Sequence, residues 1–574
     1  MWKENENMNR LIELYLERRG YTRDMLREMN DDQHADLMSV AEMCAELKRI
    51  HDTQEHIVIL PDFDMDGIMS GTVGFAGLSE LGFRVSLFRP TPSDGYGFTA
   101  DTILRLVEEY PDVKAIITCD VGITCYEGAA AASAMGIKML ITDHHVQEDA
   151  DKLVADVIVD PNRKDETYKN KGICGAHVFW QVLQYYADNY GDLFTHEQIR
   201  RLRVFAGIGT ISDAMPLVNE NRPLVMDACG ICRLVYGEEG QFFLSNMRGC
   251  TVYRRAFYGL HYALQVFADN GKIQTPDDIT EDFFGFYLAP AFNSLKRMNG
   301  DMDIAFGVFF GDHPFEDAAT LFMLNEQRKL AVSQYFEEMM TSDQPYAPYV
   351  YISDAQPGIL GLLATKAMTL TGVPTMVMRE DDGHFHGSGR APSWYPAIDM
   401  IHPEGFFIAG HQGAFGIGVT DKRECKALWA FLKQSTEEIL ANMPEEAEGG
   451  STADIVICQR GFGDTDIDIP LFLEYLAEIK TLRPFGRAFE APVIELRFRA
   501  DDGEWSVMGS AKQHLKIRLA YGFEVLCWNQ AAMLDDMKPD DEFVVQGHLG
   551  RSEFRGRFTV NMVGDIRKVC RDDE

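Results

Sequence analysis

The 574-residue sequence has no long apolar run. Nothing in it approaches the ~20 uninterrupted apolar residues that a membrane helix needs, and its start, MWKENENMNR, has charges where a secretory signal would place an apolar region. The pattern predicts a soluble, cytoplasmic chain. Basic residues are also scarce: 54 Lys+Arg against 89 Asp+Glu leave a formal net charge of −35. Apolar residues still make up 46% of the chain, so this is an acidic globular protein and not an acidic disordered tail. Taken alone, the charge disfavours a nucleic-acid partner, because such proteins usually carry a basic patch. Paired cysteines are missing too. The eleven cysteines are scattered and odd in number, which suits reduced thiols better than a disulfide framework. The one close pair, Cys229 and Cys232, lies in a helix-like segment with no second pair nearby and reads as buried thiols, not as a zinc site.

The length suggests three or four domains at ~150 residues each. Residues 1–50 read as an N-terminal helical extension, with apolar positions spaced by three and four. From about 51 to 313, short β-type runs alternate with helical segments: HIVILPDFD, GTVGFAGLSELG, RVSLFRP, TILRLVEEY, AIITCDVG, EGAAAASAMG, KMLITDHH and DVIVDPN. That rhythm predicts a parallel sheet covered by helices, with the ligand site beyond the C-terminal strand ends. Residues 314–342 read as a long connecting helix, and 343–445 as a second α/β domain. Residues 446–489 read as a linker and helical segment, and 490–574 as a small β-barrel of OB type.

Three consecutive strand ends deliver carboxylates or imidazoles: Asp62-Phe63-Asp64-Met65-Asp66-Gly67, Asp120-Val121-Gly122 and Asp143-His144-His145. A lone Asp after a strand is often only a helix N-cap. Acids gathered at one rim of a sheet repel one another unless cations sit among them, so the set predicts bound divalent metal. Oxygen ligands with an imidazole suit Mn²⁺ or Mg²⁺, and the nearest thiol, Cys119, should point to the opposite face from Asp120.

DFDMDG, CDVG and DHH, in this order and at these separations, resemble the motifs of the DHH phosphoesterase superfamily, and GIGTISDAMPL resembles its fourth motif. Further segments resemble the RecJ-type single-strand-specific exonucleases within it: RPTPSDGYGF, LAPAFNSLKRM, HGSGR, AGHQGAFG, LRPFG and SEFRGRFTVNMVGDIR. Departures are local: Ala291 and Phe292 in the Pro-Arg segment, Ser294-Leu295-Lys296 where the family has Ala-Ala-Gly, and Ala409 in place of the first Gly of Gly-Gly-His.

The resemblance implies that Asp62, Asp64, Asp120, His144 and Asp213 hold two divalent cations, Mn²⁺ before Mg²⁺, with Asp120 bridging. It makes Asp66 and Asp143 supporting groups, and His145 the residue that contacts the scissile phosphate or protonates the leaving group. Asp160, where the family commonly has Asn, is read as a turn residue. Asn293, Arg297, Ser388, Arg390 and His411 would bind the terminal nucleotide and its phosphate, and Lys516, Arg518, Trp528, Phe554, Arg555 and Arg557 would line a single strand on the barrel. The implied activity is metal-dependent 5′ to 3′ hydrolysis of single-stranded DNA to mononucleotides in repair or recombination. The implied protein is a monomer, with a single-strand-binding protein or helicase as candidate partners. Two alternatives stand beside it: a phosphodiesterase for short oligonucleotides or cyclic dinucleotides, and a non-catalytic replication scaffold. On this reading the excess acid lies on faces turned away from the strand, which reverses the inference from net charge alone.

Overall fold

The computed structural model describes residues 10–31, 36–91, 97–401, 406–442, 453–458, 467–509, 512–528, 530–535, 537–554 and 557–569, and only the backbone at 474–478 and 550–561. The chain forms two compact units. One comprises Gln33–Met215 and Pro223–Glu445; the other comprises Met1–Asp32, Pro216–Arg222 and Glu446–Glu574. Among the described residues no helix is long and apolar enough to cross a membrane.

The larger unit is built on two sheets. The first has strands β1 (His56–Pro61), β2 (Val85–Leu87), β3 (Val113–Cys119), β4 (Lys138–Thr142) and β5 (Val157–Val159), all parallel in the order β2-β1-β3-β4-β5. Its central strands, IVIL, AIIT and MLIT, are buried, which is why they read as continuous apolar runs without alternation. Helices join the strands. Met65–Glu80 is buried along most of its length because its small residues allow close packing against Gly175–Tyr190 and Arg203–Ser212.

Register sets the geometry of the rim. Pro61 pairs with Cys119, Cys119 with Thr142, and Thr142 with Val159, so β1, β3, β4 and β5 end on one level. The ladder continues one step further: Asp62, Asp120 and Asp143 each donate a backbone N–H to the neighbouring strand, at 3.1, 3.1 and 3.2 Å.

The helix Pro314–Thr341 leads to the second sheet, β6 (Val350–Ile352), β7 (Thr375–Asp381), β8 (His384–Arg390), β9 (Phe407–His411) and β10 (Ala414–Val419), in the order β6-β7-β8-β10-β9. The helix Pro357–Thr371 connects β6 and β7, which run parallel; the remaining pairs are antiparallel.

The smaller unit holds an eight-stranded mixed sheet formed by β11 (Ile455–Cys458), β12 (Ile467–Asp468), β13 (Ile494–Arg499), β14 (Glu504–Met508), β15 (His514–Arg518), β16 (Glu524–Cys527), β17 (Glu542–Phe554) and β18 (Arg557–Lys568). Two features differ from the sequence reading. Residues 446–489, read as linker and helix, contribute β11 and β12; Ile455, Val456, Ile457 and Cys458 are all buried, a run too short to stand out beside acidic and small residues. The N-terminal helices are also divided. Arg10–Arg18 places Leu11 in the core of this sheet, whereas Val40–Thr53 belongs to the larger unit, where Cys44 Sγ donates to the carbonyl of Val182. Helical periodicity shows that a face is buried, not which core receives it.

Candidate metal centre and phosphate cradle

The sequence after β1 turns directly into a helix, and its carboxylates are used as the turn is made. Asp64 is the N-cap of Met65–Glu80, its Oδ1 accepting from Asp66 N (3.0 Å) and Gly67 N (3.2 Å). Asp66 reaches across to the start of Gly175–Tyr190, accepting from Gly175 N (2.7 Å) and Ala176 N (3.2 Å). At the end of β3, Asp120 adopts φ +64°, and a Cβ on Gly175 would lie 2.5 Å from the Asp120 Cβ. Only glycine lets that helix start approach so closely.

Asp143 is fully engaged. Its Oδ1 accepts from His144 N (2.7 Å), His145 N (3.2 Å) and His145 Nδ1 (2.8 Å), and its Oδ2 from Ile123 N (2.8 Å). It therefore aims the His145 imidazole and holds the backbone of His144. His144 Nε2 lies 3.0 Å from Asp120 Oδ1, 3.6 Å from Asp213 Oδ2 and 3.9 Å from Asp66 Oδ2. Asp213 arrives from far along the chain, at the C-terminus of Arg203–Ser212.

Three triads result, each with ligand atoms within 4.8 Å of one another: Asp62, Asp64 and Asp120; Asp66, His144 and Asp213; Asp120, His144 and His145. Asp120 and His144 each serve two of them. Asp62, Asp66, Asp120, Asp143 and His144 are buried, and Asp64, His145 and Asp213 are half-buried, so the site opens on the side of those three. Asp66, expected only to support the ligands, comes into reach of a cation beside His144 and Asp213.

Electrostatics point the same way. Burial, then the neighbouring Asp64, pushes the Asp62 carboxyl up to about 7; burial, then Asp66 and Asp64, pushes Asp213 up to about 8. Burial and the surrounding acids also raise Asp66 and hold Asp120 well above the carboxylate range. Such acids must take up protons or a cation. Asp120 Oδ1 is buried without a hydrogen-bond donor, although His144 Nε2 is 3.0 Å away. About 3 Å is the spacing of two adjacent ligands each ~2.1 Å from one ion. The donor set therefore fits divalent cations. His145 differs: burial opposes its charge, but the Asp143 hydrogen bond and the nearby acids outweigh that and bring it up to about 9. Asp160 ends β5 on the same rim but joins no triad; its Oδ1 accepts from Asn162 N (2.6 Å) as a turn residue does.

A cationic cluster lies in the same unit. Asn293 Oδ1 accepts from Met65 N (2.9 Å), so Asn293 anchors the acidic turn itself. Arg390 Nη1 donates to Ser388 Oγ (2.8 Å) and to the Gly389 carbonyl (2.7 Å). The first turns of Pro357–Thr371 pack on both guanidinium residues: a Cβ on Gly358 would lie 2.6 Å from Arg297 Cα, and one on Gly361 would lie 2.7 Å from Arg390 Nη2. Burial, then the charges of Arg328 and Arg390, holds Arg297 down at about 10, with Asp64 acting in the opposite sense. Arg328 was not anticipated. It sits mid-way along Pro314–Thr341, oriented by Asn325 Oδ1 at 3.0 and 2.8 Å, in a stretch of mixed charge that offers no sequence signal. His411 is exposed and shares a rung with Arg390, both pairing with Ala414.

In the smaller unit, Lys516 and Arg518 face Glu524 at 2.8 and 3.7 Å, so these expected strand contacts are already paired. Trp528 is exposed, with its ring against His514. Arg555, the side chains of Phe554 and Arg557, and 92–96 of the Gly-Tyr-Gly segment lie outside the described residues.

Comparison with known proteins follows the same division. Residues 56–205 match the model of the DHH family, N-terminal domain, the class that the parallel sheet and its acidic rim define. Residues 467–564 match the RecJ OB domain, and the chain is RecJ-like. It is 25% identical over 503 residues to the single-stranded-DNA-specific exonuclease RecJ of Haemophilus influenzae, covering 82% of this chain and 80% of that protein. The structure of RecJ in complex with Mn²⁺ from Thermus thermophilus superposes with a TM-score of 0.70 at 20% identity, covering 98% of this chain and 76% of that one. The Mg²⁺ complex from the same organism gives a TM-score of 0.65 at 19% identity, covering 98% of this chain and 75% of that one.

Proposed function

We propose that the protein is a metal-dependent exonuclease that hydrolyses phosphodiester bonds of single-stranded DNA. The observation that carries this reading is the pair Asp120 and His144, each shared between triads at aligned strand ends. Divalent cations, Mn²⁺ by preference, would supply charge that activates water and stabilises the departing oxygen when held by Asp62, Asp64, Asp120, His144 and Asp213. The chain's own groups do the rest. Asp143 fixes the His145 imidazole through Nδ1, leaving His145 Nε2 to give a proton to the leaving oxygen, and the guanidinium groups of Arg297 and Arg390 hold phosphate.

The single-strand substrate is supported by the RecJ relatives and the OB-type region. Release of mononucleotides, 5′ to 3′ polarity, a role in repair or recombination, a cytoplasmic monomer, and a single-strand-binding protein or helicase as partner complete the proposal. It is tested with end-labelled DNA and RNA strands blocked at the 5′ or the 3′ end. With Mn²⁺, the protein should degrade 3′-blocked DNA and spare 5′-blocked DNA, and Asp120→Ala should lose on the order of 10³-fold or more in rate, comparable to removal of a principal charge-stabilising group. Equal behaviour of wild type and Asp120→Ala rejects it.

A further inference from the structure

The acidic turn has a cation of its own. Lys296 Nζ stands 4.0 Å from the centroid of the Phe63 ring, and Phe63 lies between Asp62 and Asp64 in the chain. Lys296 is on the surface and Phe63 half-buried, as are Asp64, His145 and Asp213. Two fixed points hold this arrangement. Asn293 receives the Met65 amide, tying the acidic turn to the short helix Ser294–Arg297, and Leu295 and Ser294 of that helix are buried. The two cations that follow this anchor have different neighbours: Lys296 lies on the Phe63 ring of the acidic turn, while Arg297 is close enough to Arg328 and Arg390 to feel their charges.

A lysine stem lying on an aromatic ring is an ordinary surface contact. Here the ring belongs to a residue flanked by two metal-binding carboxylates, which places the ammonium beside the acidic turn. With cations held by the acids, the ammonium would be left to meet an incoming phosphate. Lys296 also stands at one of the positions where the chain departs from the pattern it resembles.

We propose that Lys296, held over Phe63, contacts the phosphodiester at the metal centre and is a further catalytic residue of this chain. The contact rests on the exonuclease reading above. It supplies a compact point charge beside the guanidinium forks, suited to stabilising phosphate charge that is redistributed during hydrolysis.

The test compares wild type with Lys296→Met, which keeps the apolar stem, and Lys296→Arg, which keeps the charge. Three quantities are read: kcat/KM on single-stranded DNA across a salt series, Mn²⁺ affinity by calorimetry, and equilibrium binding of labelled oligothymidylate with Ca²⁺ in place of Mn²⁺. Lys296→Met should lose about 10-fold or more in kcat/KM, Lys296→Arg should retain most of it, and Mn²⁺ should bind as tightly or more tightly. Loss of one phosphate contact should also make the slope against log salt shallower by ~0.7, in hydrolysis and in binding. Kinetics and binding within two-fold of wild type, with an unchanged slope, would overturn the proposal. So would a fall in Mn²⁺ affinity in step with activity, which would make Lys296 a structural prop. A wild-type protein that binds the strand but never cleaves it rejects the exonuclease reading instead, and the binding series still decides whether Lys296 touches phosphate.

Discussion

Asp64 and Asp160 show how similar residues diverge by a few ångströms of context. Both follow strands and both accept backbone N–H groups, as N-caps and turn residues do. Asp64 keeps its position in a metal triad, whereas Asp160 has a buried Oδ2 with no hydrogen-bond partner and is pushed up to about 8 by burial and by Asp143. A carboxyl raised from an ordinary 3.8 to about 8 on folding binds its proton more tightly in the folded state. Its neutral form supports the fold below about pH 4, and that support is lost as pH rises towards 8. Asp160→Asn keeps the acceptor for Asn162 and removes the charge. It should therefore flatten the decline in stability between pH 5 and 8 and stabilise the protein at pH 8 by on the order of 1–3 kcal/mol, read by urea denaturation with chelator present. An unchanged pH profile would show that Asp160 is not the group that titrates. Asp62, Asp64 and Asp120 were legible because they follow apolar strands, whereas Asp213, at the end of a helix, was found only through its resemblance to a known motif. The reach of Asp66 towards His144 was not legible, because it depends on how closely Gly175 lets a distant helix approach.

At the scale of elements, the aligned ends of β1, β3 and β4 turn scattered acids into one rim, and the helix Pro357–Thr371 gathers the cations. Apolar runs ending in Asp announce the rim from sequence alone. The cationic cluster was only half legible: Ser388 and Arg390 stand in a glycine-rich strand that draws attention, but Arg328 lies on the long helix among Glu326, Lys329 and other charges. Its position beside Arg297 is visible only once the helix is placed. Arg328→Ala should weaken binding of a 5′-phosphorylated oligonucleotide by about 1–3 kcal/mol, and of the 5′-hydroxyl form by much less, in anisotropy titrations. Equal losses for both forms would place Arg328 outside the cradle. Lys516 and Arg518, which sequence marked as strand contacts, share the single carboxylate of Glu524, a pairing that strand spacing alone does not reveal.

Over the whole molecule, the −35 charge is a poor guide to substrate. The larger unit folds an acidic sheet rim and a cluster of arginines into one body, and the buried acids of that rim call for cations of their own. Net charge governs the long-range field, and the local arrangement governs what binds. The division of the N-terminal helices between two units was equally invisible in a pattern that reports only amphipathicity. The centre itself is a property of the folded unit, since it joins Asp62 to Asp213, 151 positions apart in the chain. The most direct test is anomalous scattering at the manganese edge from crystals grown with Mn²⁺. Two peaks ~3.5–4 Å apart are expected, with Asp120 between them, Asp62 and Asp64 on one, and His144 and Asp213 on the other. No peak among these side chains, or manganese bound only elsewhere on the acidic surface, would contradict the assignment.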